Sequence, residues 1–531
     1  MVTNDSTASG ATVPRGGWLR APWQGRPLPL HPLLLAAYPV LFLYGQNLGE
    51  LDPSDLVGPL AAIVVTALAA VIVGAYLVRD GRRAALVVSA LVAAFLLYGH
   101  VAGLLGPLGV RAVVLQVGWI ALVGLTVVFA LKAGSDRLSL ATRGLNLVTA
   151  LLVIVTLVSI VPAEFARGNR SAASATPIGG TAGTGRDIWY LVFDRYGSAR
   201  SLDLLYGIDD RPFLDRLQGR GFDIVTDSHA NYVKTALSLA ATLNLDYLDD
   251  IVAAQDPASE DHGAIYRHLA DHAVGHFLHD RGYRYVHVGS TYDPTETSPL
   301  ADLNPRIDGP SDFVDALFDV SALPAIARRL RIRTNTPARE RHYQVGRFQL
   351  DALDDLVAEP GPKFVFAHVL LPHPPYTFAS DGRFLTDEED AALTNAQGYA
   401  QQLVYLQARL EALVDRLLAL PEAERPIIVL QADEGPYPTD YARDTVGYDW
   451  ATATSEDLEI KFGIFNAMYL PGSEAPDVPT TLSSVNTFRL IFGAYFGADL
   501  PPLADRSFTS AGKYRPYDLT EITDRLPSAE P

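Results

Sequence analysis

The chain has 531 residues, with 60 Asp and Glu against 42 Lys and Arg for a formal net charge of −18, and a mean hydropathy of +0.13. That length exceeds one ordinary domain, and the acidity excludes an extended nucleic-acid surface. Without a single cysteine, the chain can form no disulfide, no thiolate nucleophile and no cysteine-ligated metal site.

Residues 1–28 are polar and rich in Gly, Ser and Thr, lack the apolar core of a signal peptide, and read as a disordered cytoplasmic tail. Five apolar runs come next, at about 29–46, 57–78, 84–105, 111–131 and 144–162. Each is long enough, or nearly so, to cross about 30 Å of hydrocarbon as a helix, so 29–162 is expected to be a five-helix transmembrane domain. Arg15, Arg20, Arg26, Arg79, Arg82, Arg83, Lys132, Arg137 and Arg143 flank the runs on one side. Glu50, Asp52, Asp55 and a lone Arg111 lie on the other. The positive-inside rule then places the N-terminus in the cytoplasm, and an odd number of spans exports the large C-terminal part. No Asp, Glu or Lys interrupts the runs and only His100 lies well inside one, which suits an anchor better than an ion pathway.

Residues 163–186 form a linker, Gly/Ala/Ser/Thr-rich from 165 onward and without periodicity. Beyond it, 187–531 alternates apolar strand patterns at 187–193, 283–289, 363–369, 426–431 and 464–469 with helical patterns at about 210–220, 235–249, 262–281, 311–331, 341–357, 391–419 and 484–495. Near-continuous apolar strands separated by helices predict an α/β domain with a mainly parallel central sheet. In such sheets reactive groups gather beyond the C-terminal ends of the strands.

Those ends carry the candidate site. Asp194 ends the first strand; Asp433 and Glu434 end the fourth; His368 lies in the third, with His373 just beyond it in a Pro-rich loop. Asp194, Asp433 and Glu434, with the Thr235 hydroxyl, form an oxygen-rich set for one divalent ion, Mn²⁺, Mg²⁺ or Zn²⁺. Thr235 opens a helix, where terminal N–H groups favour an anion, and is the candidate nucleophile, with Ser238 as its local rival. His368 and His373 are candidates for binding phosphate oxygens or protonating a leaving group. Blander readings stand beside these: Asp433 and Glu434 as solvated turn carboxylates, His368 as a core histidine, Thr235 as a helix cap. His268, His272 and His276 share an i, i+4 spacing, but no HExxH-type partner accompanies them.

These residues carry a family resemblance. YLVFDRYG, TALSLAA, the HxxxPHPPY element ending at Tyr376, and QADEG stand in the order of the corresponding segments of the sulfatase-like branch of the alkaline phosphatase superfamily. The layout, spans and then an exported domain, resembles lipoteichoic acid synthases and phosphoethanolamine transferases. The resemblance implies an α-helical transmembrane domain followed by an alkaline-phosphatase-like domain over about 187–515. It implies metal ligands Asp194, Thr235, Asp433 and Glu434, a Thr235 nucleophile, and substrate contacts from His368, His373 and Tyr376. Glu434 stands where the family has histidine, and no histidine occurs after His373, so one metal at most is implied. The expected function is a metal-dependent transferase or hydrolase of phospho-groups on a lipid-linked or envelope glycan substrate at the cell membrane. The alternative is a non-catalytic member with a binding or structural role.

Overall fold

The computed structural model describes residues 27–48, 51, 53–105, 110–169, 178–307, 312–330, 337–512 and 514–527. Nearly all of the tail 1–28, and linker residues 170–177, lie outside these. The chain divides into two compact units, residues 1–164 with 310–333, and residues 165–309 with 334–531.

In the first unit, three helices are long and apolar enough to cross a membrane: Asp55–Val78, Val113–Lys132 and Ser135–Pro162. A bent pair, Gly81–Leu96 and Tyr98–Leu105, turns by 51° and counts as a fourth crossing if taken as one span. The first expected span is helical over His31–Gln46, but these 16 residues enclose Pro39 and fall short of the roughly 20 that a crossing requires. Its first turn is tied down from elsewhere in the unit, since Asn146 Oδ1 accepts the Leu30 and His31 N–H groups at 2.9 and 2.8 Å. Asp80 caps the helix that starts at Gly81, its carboxylate accepting from the Arg82 and Arg83 N–H groups. The helical pattern at 311–331, read from the sequence as part of the outer domain, is two helices, Asp312–Asp319 and Leu323–Leu330. Both belong to this first unit.

The second unit is an α/β domain around a six-stranded sheet. Its strands are β1 (Ile188–Phe193), β2 (Asp223–Ile224), β3 (Arg284–Val288), β4 (Lys363–Val369), β5 (Ile427–Ala432) and β6 (Asn466–Tyr469), in the order β2-β6-β5-β1-β4-β3. β3, β4, β1 and β5 run parallel, whereas β6 runs antiparallel to β5 and β2 antiparallel to β6. The sheet is therefore mainly parallel, as the strand pattern predicts, and mixed at the β2–β6 edge. β1 is buried along its whole length, and its alternation divides the core: Trp189, Leu191 and Phe193 join one apolar cluster, Ile188, Tyr190 and Val192 the other. A small hairpin, β7 (Phe508–Ser510) with β8 (Leu519–Glu521), lies outside the main sheet.

The helical pattern at 262–281 is interrupted. Gly263–Ala270 ends at Asp271, and Ala273–His279 begins after His272, whose Nδ1 accepts the Gly275 N–H at 3.0 Å. His268, His272 and His276 thus do not share one helical face. His276 instead meets Asp271 and His279 meets Asp302, at 2.5 and 2.9 Å.

Asp210 shows what burial does to a carboxylate here. It accepts from the Tyr196 hydroxyl at 3.0 Å and from Gln407, and burial pushes its pKa up to about 7. The unfolded value is about 3.9, so the folded chain holds the extra proton between those limits. Stability from this group is fully present below about pH 4 and declines as pH rises through 7, by about 1.4 kcal/mol per pH unit. Asp210→Asn removes that decline. The melting temperature of the variant relative to wild type should therefore rise between pH 5 and pH 8, and a gap that does not change with pH would contradict the raised carboxyl.

Candidate metal centre

The register of the sheet builds the site. β1 lies between β4 and β5, with Phe193 level with Val369 on one side and Ala432 on the other. Asp194 and Asp433 are each the first residue past their strand, and His368 is the penultimate residue of β4. Neighbouring strands lie about 4.8 Å apart, so these side chains are delivered to one place. One ligand atom from each of Asp194, His368 and Asp433 lies within 4.8 Å of the others, and all three residues are buried. His368 Nε2 is 3.9 Å from Asp194 Oδ2.

Asp194 Oδ1, His368 Nε2 and Asp433 Oδ2 are buried without a hydrogen-bond partner. Leaving such atoms unsatisfied costs about 1–3 kcal/mol each, more for charged groups. Burial, followed by the charge of Asp433, raises the Asp194 pKa well above the usual carboxylate range. Burial and then Glu434 push Asp433 up to about 6. Burial, with His287 nearby, brings His368 down to about 3 and keeps its imidazole neutral. A neutral imidazole and two mutually repelling carboxylates fit a divalent cation, and this mixed N and O donor set suits Zn²⁺ or Mn²⁺ better than Mg²⁺.

Glu434 is placed differently. Its carboxylate meets Arg195 Nε at 3.2 Å and Lys461 Nζ at 2.8 Å, and it stands outside the three-residue group. Gly435 makes the Lys461 contact possible: its N–H donates to the Lys461 carbonyl at 2.9 Å, and a Cβ there would come within 2.3 Å of the Ile460 carbonyl. Lys461 is fully buried, and burial lowers its pKa to about 8 despite the opposing pull of Glu434. Arg195 adopts a left-handed conformation, φ 60°. Its backbone N–H donates to Asp433 Oδ1 at 3.2 Å, and its guanidinium lies 3.4 Å from the centre of the Tyr437 ring. Arg195, Lys461 and Tyr437 escaped the sequence reading; only Arg195, adjacent to Asp194, carried a signal that could have found it.

Thr235 is the first residue of the helix Thr235–Asn244, and the cap position belongs to Lys234. Its hydroxyl acts on the Asp433 carboxyl and lowers that group's pKa, and no side chain caps this helix. The rival Ser238 is buried and donates to the Asp433 carbonyl at 2.7 Å, tying the helix to the end of β5. His373 lies in the loop after β4, and burial, with Arg195 next, lowers its pKa well below the ordinary value. The Tyr376 hydroxyl donates to Asn395 Oδ1 at 2.5 Å. Its ring sits so closely on Gly398 that a Cβ would meet it at 2.2 Å. Behind the site, Thr295 Oγ1 lies 3.0 Å from His368 Nδ1 and fixes the ring that directs Nε2 toward the carboxylates.

No protein-family model and no curated protein matches the chain. Among solved structures it is similar to the C-terminal periplasmic domain of EcEptC from Escherichia coli in complex with Zn. That match has 14% identity over 67% of this chain and 98% of that one, with a TM-score of 0.42. It is similar to the integral membrane lipooligosaccharide phosphoethanolamine transferase A of Neisseria meningitidis at 12% identity, over 88% and 94% of the two chains, with a TM-score of 0.38. A protein in the alkaline phosphatase superfamily from Vibrio parahaemolyticus matches at 12% identity over 67% and 85%, with a TM-score of 0.38. At these values, residue roles rest on the geometry of this chain.

Metal titration of the chelator-stripped protein separates ligands from supports. Asp433→Asn should weaken Zn²⁺ binding more than 100-fold, and Thr295→Val by about 10–100-fold through the loss of ring orientation. Glu434→Gln should change affinity less than tenfold while lowering thermal stability, because breaking a buried ion pair costs about 3–5 kcal/mol. Equal loss of Zn²⁺ affinity in Glu434→Gln and Asp433→Asn would place Glu434 among the ligands.

Proposed function

We propose that the α/β unit is a metal-dependent transferase or hydrolase of phospho-groups, working through a covalent Thr235 intermediate on a lipid-linked or envelope substrate. The observation that carries this reading is the Asp194, His368 and Asp433 cluster, with Thr235 close enough to act on the Asp433 carboxyl. Asp194, His368 and Asp433 would hold the ion, with Thr235 alongside. When bound, a divalent ion supplies a Lewis acid that offsets charge on the transferring group.

The chain's own groups account for the rest. The Thr235 oxygen attacks phosphorus, its hydroxyl proton passes to the Asp433 carboxylate, the bond to the leaving oxygen breaks, and the proton goes on from Asp433 to that oxygen. Arg195 supplies positive charge 3.9 Å from Asp194, and Glu434 together with the Tyr437 face holds it there. His373, kept neutral, can donate a hydrogen bond to a phosphoryl oxygen. The Tyr376 ring forms a fixed wall. An acceptor hydroxyl, or water, then attacks phosphorus, the bond to the Thr235 oxygen breaks, and the acceptor's proton passes through Asp433 to restore the Thr235 hydroxyl. The long apolar helices hold the domain at the membrane, which suits a substrate that is itself membrane-bound, and the loop charges favour an extracytoplasmic position for it.

Thr235→Ala should bind Zn²⁺ as the wild type does, yet show no phospho-adduct by intact mass after incubation with an aryl phosphodiester or a phospholipid donor. Ser238→Ala should keep the adduct at a stability cost of about 1 kcal/mol. Metal binding without any wild-type adduct or turnover would favour the binding role, and turnover by Thr235→Ala would exclude the covalent route. Reporter fusions after Gly180 should read as extracytoplasmic and fusions after Arg83 as cytoplasmic; the reverse pattern would invert the topology.

A further inference from the structure

Residues 312–330 leave the α/β unit's sequence between β3 and β4 and pack within the membrane unit. Phe313 and Leu317, one turn apart, are buried in a cluster with Val40, Leu41, Tyr44 and Ile160, and the Phe313 ring meets Tyr44 edge-on at 6.4 Å. The turn between the two inserted helices enters the break in the bent pair. The Gly99 N–H donates to the Val320 carbonyl at 2.8 Å, and the Ala322 N–H donates to the Phe95 carbonyl at 2.7 Å. A kinked helix frees such backbone groups, and in hydrocarbon each must find a partner. Here the inserted turn supplies both. Gly99 is required for the approach, since a Cβ would come within 2.5 Å of the Val320 carbonyl oxygen.

Helix rise sets the depth. Gly81–Leu96 has 16 residues, about 24 Å at 1.5 Å per residue, so the break lies near the far boundary of a hydrocarbon layer about 30 Å thick. Tyr44 near the end of its helix and Ile160 late in Ser135–Asn169 lie at the same end, since both pack in the cluster around Phe313. The second inserted helix, Leu323–Leu330, buries Ala327 but exposes Ile326 by 43% and Leu330 by 60%. These two are four residues apart and share a face, with exposed Arg329 at its border.

We infer that this helix is a monotopic membrane contact, with Ile326 and Leu330 in the acyl region just below the headgroups and Arg329 at the level of the lipid phosphates. The partner is the bilayer, because the segment is already seated among the spans at interfacial depth and its uncovered face is apolar with a cationic edge. The chain passes between the two units at three points.

The cysteine-free chain makes the test direct. Leu330→Cys is labelled with bimane in the full chain and reconstituted in phosphatidylcholine and phosphatidylglycerol vesicles carrying acyl-chain-brominated lipid. Ile120→Cys, exposed on a long apolar helix, and Ser380→Cys, exposed on the α/β unit, set the two limits. All three replace exposed side chains and should elute as the wild type does. Quenching at Leu330 of at least half that at Ile120 is the expected result. Quenching closer to the Ser380 value, whether water or a second copy of the chain covers the face, overturns the inference.

Discussion

Two carboxylates held side by side out of water set the terms for the α/β unit. Asp194 and Asp433 follow neighbouring parallel strands in register, and both are buried. Their repulsion and desolvation are opposed by the Arg195 backbone N–H, by the Arg195 and Lys461 side chains, and by the Thr235 hydroxyl. Each of Asp194, His368 and Asp433 keeps one atom without a partner, and the three bring ligand atoms within 4.8 Å of one another. A fold that keeps such a cluster forgoes the stability of an apolar replacement, and the natural complement of the cluster is a cation.

Glu434 illustrates how burial reassigns a residue that looks equivalent in sequence. It adjoins Asp433 and carries the same charge, yet its longer side chain turns to Arg195 and Lys461. By doing so it orients one cation beside the cluster and satisfies another that is fully buried. The local charge balance is therefore built from protein groups as well as from the expected ion. The aromatic face of Tyr437, 3.4 Å from the Arg195 guanidinium and 4.3 Å from the Lys461 ammonium, adds to the same arrangement.

The membrane unit shows the complementary constraint. With no water to satisfy a broken helix, the Phe95 and Gly99 backbone groups find partners in a turn contributed from more than two hundred residues away in the chain. The same segment closes an apolar cluster around Tyr44.

By itself the sequence determined what depends on short-range pattern. Apolar runs of helical length mark the anchor, five apolar strand patterns all recur as strands within two residues, and Asp194 and Asp433 just past their strands and His368 within its own follow from the same local pattern. Short elements escaped: β2, the β7–β8 hairpin, and the helices Ala199–Tyr206 and Ser455–Phe462 are too brief for periodicity to stand out. Register and tertiary packing decided the rest. They made β6 antiparallel, drew His368 into the carboxylate cluster, and turned Glu434 toward Lys461. They also placed Thr295 behind His368, and residues 312–330 among the spans. Each of these joins residues tens to hundreds of positions apart, and no local pattern encodes which distant partner a side chain meets.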